Sequence, residues 1–354
     1  MDITLPVRSF SDSSLIGLSI VAMSSGAASA HEAWLLTPSE VEALLRLPPP
    51  GLFTSSTSLG IASVIGVCVM IGALWVEERL YPVEARLSAP LARAAPKLGP
   101  LAIRVGLAIM LTFSAVGGLP RHGTALWTEP TLLVPDMQLS LAPGWAWLAG
   151  IELGLSALIV TGFLARFAAL GVVALSAVGL AAFGAPFLGY APHFIAPALM
   201  LAICGPGALS LDRMLGTDDW LRPGPVLAQA GWSSALALLG AGFVYLSVSA
   251  KLTQPTLLMA ILEHGEVPLL GISLAAAALM MTGAELVAGA LLALGRLTRP
   301  IALFLIGGFA FFAVTLGETP LFHANLYGAM LMLTMTGHGF PSPHLQRRER
   351  PVPA

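Results

Sequence analysis

Charge is what this sequence lacks most. Only 10% of its 354 residues are charged, the formal net charge is −2, and no segment is strongly basic. Because phosphate binding needs clustered Lys and Arg, nucleic acid is excluded as a partner. The sequence also contains neither a Walker A loop nor a dinucleotide fingerprint. The usual nucleotide-dependent activities are therefore not expected.

Cysteine is almost as scarce. Cys68 and Cys204 each lie alone inside separate apolar runs. They form neither a CxxC redox pair nor a thiolate metal site. Thiol relay chemistry within this chain is therefore not expected.

Long apolar runs are what the sequence has in abundance, since 56% of its residues are hydrophobic. A hydrocarbon core of about 30 Å needs about 20 apolar residues per helix, and nine runs come near that length. They predict an all-α polytopic membrane protein that sits in the lipid bilayer. The runs are 58–76, 101–119, 144–164, 168–185, 192–209, 232–250, 268–294, 300–316 and 322–338.

The N-terminus reads as an export signal over residues 1–30, with an apolar core followed by Ala28 and Ala30 at the cleavage position. An uncleaved short anchor is the alternative. Cleavage leaves His31 first, and a free α-amine with an imidazole can bind Cu(II) or a similar metal ion. Residues 31–57 are expected to form a periplasmic segment with a short helix capped by Thr37.

The distribution of Lys and Arg predicts the orientation. These residues follow the first, third, fifth and seventh mature helices and fill the tail, residues 341–354. Positive residues favour the cytoplasmic side. We therefore expect a bacterial inner (plasma) membrane protein with a periplasmic mature N-terminus and a cytoplasmic C-terminus.

An internal repeat divides the chain. The segment ELGLSALIVTGFLARFAAL matches ELVAGALLALGRLTRPIAL at a constant offset of 133 residues, which pairs Glu152 with Glu285 and Arg166 with Arg299. Residues 101–216 and 232–340 are thus predicted to be two parallel four-helix units about an axis along the membrane normal. Residues 58–100 add an extra transmembrane helix and a cytoplasmic linker.

Each unit carries ionisable residues at a similar depth in the membrane. The sets are Glu152, His193 and Arg121 in the first unit, and Glu285, His323 and Lys251 in the second. Intramembrane carboxylates are expensive and usually functional, and a Glu and a His in low dielectric can hold or relay a proton. A bland alternative is that the Glu side chains only hydrogen-bond a neighbouring helix and that the His side chains sit at the interface.

Two further hypotheses concern cofactors and ligands. His193 and His323 could ligate one haem from two sides, although the Gly-rich helices are unusual for such a site. Tyr190 belongs to a group of aromatic residues at helix ends, which is typical of a membrane-interface belt but could also line a quinone headgroup pocket.

The run GPGALSLDRMLG, residues 205–216, resembles the close of the DoxX-like membrane domain. The preceding pattern, with a basic residue after the first helix and E-x-x-x-x-A-L-x-x-x-G-x-x-x-R in the second, is similar to that family too. The second unit follows the same plan more weakly and lacks the SLD close. The resemblance implies a quinone-linked oxidoreductase subunit, with Glu152 and Arg121 or Lys251 at the family's polar pair.

Three functions are compatible with these observations. A quinone-linked redox subunit would use Glu and His for the protons, would need a periplasmic or membrane redox partner, and predicts a lipid-accessible cleft beside Glu152 or Glu285. A small-molecule or metal-ion transporter would use the same residues as coordination or proton sites. A non-catalytic scaffold or chaperone would tolerate Glu→Gln changes at both positions.

Overall fold

The computed structural model describes residues 36–117, 129–317 and 319–339. The regular structure of these residues is helical, apart from one isolated bridge between Thr131 and Gln138. The α-helices are α1 (Pro38–Leu45), α2 (Gly51–Thr54), α3 (Ser56–Val116), α4 (Leu148–Thr161), α5 (Ala165–Phe183), α6 (Ala185–Leu188), α7 (Ala191–Cys204), α8 (Leu211–Leu215), α9 (Pro225–Leu246), α10 (Pro255–His264), α11 (Leu274–Ala293), α12 (Thr298–Thr315) and α13 (Ala324–Thr336). Short 3-10 turns form at Leu139–Leu141 and Pro320–His323, and a π-helix, Ser247–Leu252, continues α9.

The all-helical membrane architecture is confirmed. Within the described ranges, five helices are long and apolar enough to cross a membrane: α3, α5, α9 with its π-helical extension, α11 and α12. Every predicted apolar run contains helix, but α4 and α7 have 14 residues each and α13 has 13. Those three are shorter than expected because turns and the glycines Gly162, Gly205 and Gly337 end them early.

Helix α3 contains both the predicted extra helix and the first helix of the repeat. The interval expected as a linker is helical as well, although it holds several prolines. Early in α3, Gly66 lies beside Val287 and Glu77 binds Arg296, so this limb runs alongside α11 in the same direction.

The later limb of α3 runs the opposite way. Gly99 contacts Met332 and Gly106 contacts Ala324, which is antiparallel to α13. Because α11, α12 and α13 are consecutive neighbours joined by short turns, α11 and α13 point in the same direction. Helix α3 therefore reverses between Glu77 and Gly99, where prolines remove backbone donors and bend helices. The prolines within α3 are Pro82, Pro90, Pro96 and Pro100.

The two halves pack through their first and last helices. The later limb of α3 packs on α13, and α9 packs on α7, so the first helix of each half contacts the last helix of the other. Within the halves, α3 packs on α4 and α9 on α11, while α5 packs on α7 and α12 on α13. The main core lies where α3, α7, α9 and α13 meet.

The same turn joins the second and third helices of each half. Gly162 and Leu164 have φ of 66° and 48°, and Gly295 and Leu297 have the same two values. A left-handed glycine ends a helix without steric strain, whereas leucine rarely adopts positive φ. The constant 133-residue offset in the sequence thus corresponds to one repeated backbone conformation.

Different carboxylates cap the helices that follow these turns. Asp212 accepts hydrogen bonds from the backbone nitrogens of Leu164 (2.7 Å) and Ala165 (2.9 Å) in the first half. The second half lacks the SLD segment, and there Glu77 of α3 accepts from the Leu297 nitrogen at 2.7 Å. A carboxylate at a helix N-terminus satisfies free amides and interacts favourably with the helix dipole. The added helix thus supplies the cap that the second half does not contain itself.

Buried and half-buried arginines bind carbonyl oxygens at the ends of the helices. Arg166 donates to the Ala202 carbonyl at 2.9 Å, and Arg299 donates to the Thr336 carbonyl at 3.2 Å, each at the end of the fourth helix of its half. Arg104 is buried and donates to four carbonyl oxygens, those of Ile159, Val160, Pro206 and Leu209. The sequence predicted a topological role for these charges, and the structure shows that they also bind carbonyl oxygens at helix ends.

The short helix expected in residues 31–57 is present as α1, and its cap is confirmed. The Thr37 side chain accepts from the Glu40 nitrogen while the Glu40 side chain accepts from the Thr37 nitrogen. These hydrogen bonds from Thr37 lower the pKa of Glu40. Leu36 and Phe53 pack against α10, and these contacts hold the N-terminal segment against the second half.

Candidate functional site

A cavity of about 280 Å³ lies between the second half and helix α7 of the first half. Aromatic side chains form much of its wall, namely Phe194, Phe243, Phe304, Phe309, Phe312 and Phe322. Its polar lining includes Tyr190, His193, Lys251, Glu285, His323 and Asn325. Small-molecule sites commonly combine an apolar wall with a few convergent polar groups, in volumes from about 300 Å³.

The two histidines of the repeat reach this one cavity from two different helices. His193 lies at the start of α7, and His323 immediately precedes α13. Asn325 connects the two helix starts, because its side-chain amide donates to the His193 carbonyl at 2.8 Å. The sequence raised a shared ligand only as a hypothesis, and in the structure both histidines line the same cavity.

His193 carries a polar atom that protein groups leave unpaired. Its side chain is buried, and no described residue hydrogen-bonds its Nε2. Lys251 and His323 are both close enough to His193 to interact with it electrostatically. A buried polar atom without a partner is expensive unless something else pairs with it. This nitrogen lies against Gly242 of α9, where an added Cβ would come within 2.9 Å of it.

A row of four rings connects the histidines. The ring of His193 lies 4.8 Å from that of Phe243, Phe243 lies 6.2 Å from Phe309, and Phe309 stacks on His323 at 5.1 Å. These are centroid distances at which aromatic rings attract one another. All four residues line the cavity, so aromatic rings border much of it.

Lys251 and Glu285 form an ion pair beside the histidines. Lys251 lies in the π-helical turn that continues α9, and Glu285 lies in the middle of α11. Both side chains are mostly buried, with 19% and 17% exposed. A π-helical turn within an α-helix is frequent at functional sites, because it redirects side chains. Here the π-helical turn contains Lys251, the only lysine among the described residues that lines the cavity.

Glu152 lies apart from the cavity. It is fully buried, and its Oε1 accepts from the Leu133 nitrogen at 2.7 Å, while no described residue hydrogen-bonds its Oε2. Leu133 belongs to the mostly buried loop 129–139, and it has a positive φ of 62°. The bland alternative, in which a carboxyl group holds a neighbouring segment, describes Glu152 better than it describes Glu285.

Tyr190 is a wall residue of the cavity. Its side chain is buried, and its hydroxyl donates to Asp136 at 2.9 Å. The pocket interpretation therefore fits Tyr190 better than the interfacial belt. Arg121 and His31, the other predicted site residues, lie outside the described residues.

Several wall residues could not be recognised from the sequence. Phe243 and Phe309 gave no signal, because an apolar side chain in an apolar run looks the same whether it faces lipid or a cavity. Asn325 could have been found, since it is a lone amide at the start of an apolar helix, two residues after His323.

The side-chain geometry also bears on metal and haem binding. Within residues 36–117, 129–317 and 319–339, no three His, Cys, Asp or Glu side chains are grouped so that they could hold a metal ion. Phe243 and Phe309 occupy the space between His193 and His323, so the two imidazoles do not face each other across an open gap. The arrangement does not fit a haem held between the two histidines.

Comparison with known proteins identifies no relative. No protein-family model, no curated protein and no solved structure matches this chain.

Proposed function

We propose that this chain is a tandem DoxX-like membrane protein that binds a quinone in the cavity between its halves. The observation that carries the proposal is the convergence of His193, His323 and the Lys251–Glu285 pair on one aromatic-walled cavity. A quinone headgroup is a planar ring with two carbonyl oxygens. Stacking surface and hydrogen-bond donors are the two features that recognise such a ring.

Two parallel four-helix bundles are the proposed arrangement of the halves. The repeated turn at Gly162 and Gly295 supports it, as do the equivalent arginines at the ends of the fourth helices. The reciprocal packing of α3 on α13 and α9 on α7 supports it as well. In this arrangement His193 and His323 are equivalent positions in the two halves.

We assign the protein to a quinone-linked oxidoreductase system of the bacterial inner membrane. Oxidation of a quinol releases two protons and two electrons and forms the quinone. In this proposal His193 and His323 accept protons from the two hydroxyl groups, and the Lys251 ammonium stabilises the phenolate that forms first. The electrons pass to a periplasmic or membrane redox partner. In the proposed orientation the loops that carry most of the Lys and Arg residues face the cytoplasm.

An equilibrium binding measurement tests this function. The purified full-length chain is incubated with a decyl-substituted benzoquinone, and the bound quinone is extracted and quantified after gel filtration. Removing a hydrogen bond to a ligand oxygen costs roughly 1–2 kcal/mol, so His193→Ala and His323→Ala should each weaken binding about tenfold. His338→Ala is the matched control, since His338 is exposed and does not line the cavity.

The same titration can reject the proposal. Absence of binding by the unaltered protein contradicts it. Equal loss with His338→Ala contradicts the assignment of the site to the two histidines. The unfolding midpoint of each variant is measured in parallel. It distinguishes a variant that has lost binding from one that has lost its fold.

A further inference from the structure

The walls of the cavity differ sharply in exposure from one helix to the next. The wall residues that α7 and α9 supply, including His193 and Phe243, are buried. Among the described residues that line the cavity, the exposed ones are Ala284 of α11 and Phe304 of α12, the latter with 54% of its surface accessible. The cavity therefore meets the outside between α11 and α12.

The half-buried wall residues of these two helices continue the opening inward. Met281 and Glu285 lie on the same face of α11 as Ala284, at helical spacing. Gly308 and Phe309 lie one turn along α12 from Phe304. A path thus leads from the outer surface past small and aromatic side chains to the Glu285 carboxylate.

The outer surface at this point is a surface for lipid. Both α11 and α12 are long and apolar enough to cross a membrane. They are joined by the tight turn at Gly295–Leu297 and make fewer contacts with each other than α9 makes with α11. A gap between two membrane-spanning helices opens to hydrocarbon and not to water. A ligand that uses it must be soluble in the bilayer.

We infer that the cavity takes its ligand sideways from the bilayer, and that the ligand is a quinone with a long hydrocarbon tail. The inference rests on the proposed function and specifies its substrate class. The ring lies inside, against Phe309 and the histidines, and the tail leaves between Ala284 and Phe304. A tail in this position keeps its contact with lipid, whereas a tail enclosed by the cavity would need more than about 280 Å³.

Gly308 offers a direct way to fill the opening. A Cβ at Gly308 would meet no atom within 4 Å, and the same holds for its neighbour Gly307. Gly308 lines the cavity, whereas Gly307 is exposed and does not. Gly308→Trp and Gly307→Trp thus make the same chemical change on adjacent residues of one helix. Gly307→Trp is the control for insertion, folding and the loss of a glycine.

The test measures binding of three probes to the full-length chain and to both variants. The probes are a decyl-substituted benzoquinone, the same benzoquinone without its tail, and decanol. A Trp at Gly308 would occupy the space assigned to the tail, so Gly308→Trp should weaken binding of the tailed quinone about tenfold. Binding of the tail-less quinone should be kept in both variants, and Gly307→Trp should bind all probes like the unaltered protein.

The outcomes separate the two proposals. If both quinones bind and Gly308→Trp affects them equally or not at all, the sideways tail is wrong and the quinone site stands. If neither quinone binds the unaltered protein, the proposed function fails and the inference falls with it. If decanol displaces the tailed quinone at equal concentration, the site recognises an alkyl chain and not a ring, which contradicts both.

Discussion

The two halves of the chain share a backbone plan and use it differently. Residues 101–216 and 232–340 have the same left-handed turn, with Gly162 and Gly295 at equivalent positions. Yet Glu152 holds a buried loop by one hydrogen bond, whereas Glu285 pairs with Lys251 beside a cavity. A repeated sequence motif thus produces a repeated turn, while the chemistry of each copy depends on what packs against it.

The halves also differ in the source of the carboxylate that caps the third helix. The first half caps its third helix with its own Asp212, and the second half takes Glu77 from the helix that precedes the repeat. The same helix supplies Glu84, which binds Arg299. The added limb of α3 is therefore part of the second half's structure. This predicts that changes in residues 56–98 affect the half that is distant in sequence.

The largest expected difference between the halves concerns Arg104. Arg104→Gln leaves several buried carbonyl oxygens of the first half without a charged donor, so the free energy of unfolding should fall by about 3 kcal/mol or more. Trp232 is the nearest equivalent in the second half, since its indole donates to the His338 carbonyl at 3.1 Å. Trp232→Phe removes one hydrogen bond and some volume, for a loss of about 1–2 kcal/mol.

Denaturation of the purified variants in mixed micelles measures both losses. The comparison fails if Trp232→Phe is the more destabilising change.

The repeated turn offers a second test. An alanine at either glycine adopts a left-handed conformation at a cost of about 1–2 kcal/mol. At Gly162 the new Cβ would also lie 2.6 Å from the Ser210 Cβ and 2.7 Å from the Arg104 Cζ, whereas at Gly295 its nearest neighbour is 3.9 Å away. Gly162→Ala should therefore destabilise the protein by about 1–3 kcal/mol more than Gly295→Ala.

The same denaturation assay ranks the two glycine variants. Equal losses would show that only the backbone conformation matters at these turns.

The third test removes each of the two caps in turn. Asp212→Ala and Glu77→Ala should each cost about 1–2 kcal/mol, since each removes the acceptor at a helix N-terminus. Hydrogen exchange followed by mass spectrometry should show faster exchange near Leu164 in the first variant and near Leu297 in the second. In the double variant the losses should add to within about 0.5 kcal/mol, because the sites share no partner. Exchange that spreads to the other half in a single variant would contradict independent caps.

The smallest expected effect on stability is that of Glu152→Gln, which is compared with Glu285→Gln. Glu152→Gln keeps an oxygen that can accept from Leu133 and so should change the free energy of unfolding by less than about 1 kcal/mol. Glu285→Gln leaves Lys251 without its counterion on the cavity wall. It should weaken quinone binding about tenfold. The binding titration and the denaturation assay distinguish the two roles. Quinone binding that depends on Glu152 and not on Glu285 would reverse the assignment.

Much of the fold could be predicted from the sequence, because lipid imposes a simple requirement on helices. Apolar runs were enough to predict the helices, and the constant offset was enough to predict that the turns at Gly162 and Gly295 are alike. The reversal of α3 was harder to predict, since its prolines suggested a linker and the chain remains helical through them. Helix ends at Gly205 and Gly337 were also missed, because the residues beyond them stay apolar.

The site could be predicted only in part. Charged and imidazole side chains are conspicuous in an apolar run, so His193, His323 and Glu285 could be selected. Sequence could not show that Glu152, identical in its local motif, faces a loop. Nor could it separate Phe309, which stacks on His323, from the exposed Phe311 two residues later. Burial among neighbouring helices decides both, and a single sequence does not encode it locally.

The most direct test of the quinone site is photoaffinity labelling with an azido-substituted, tailed quinone. The account predicts light-dependent adducts on peptides that contain His193, residues 243–258 or residues 304–312, and loss of those adducts when unmodified quinone is in excess. Adducts confined to the loop 129–139, or adducts that excess quinone does not reduce, would contradict a quinone site between the two halves.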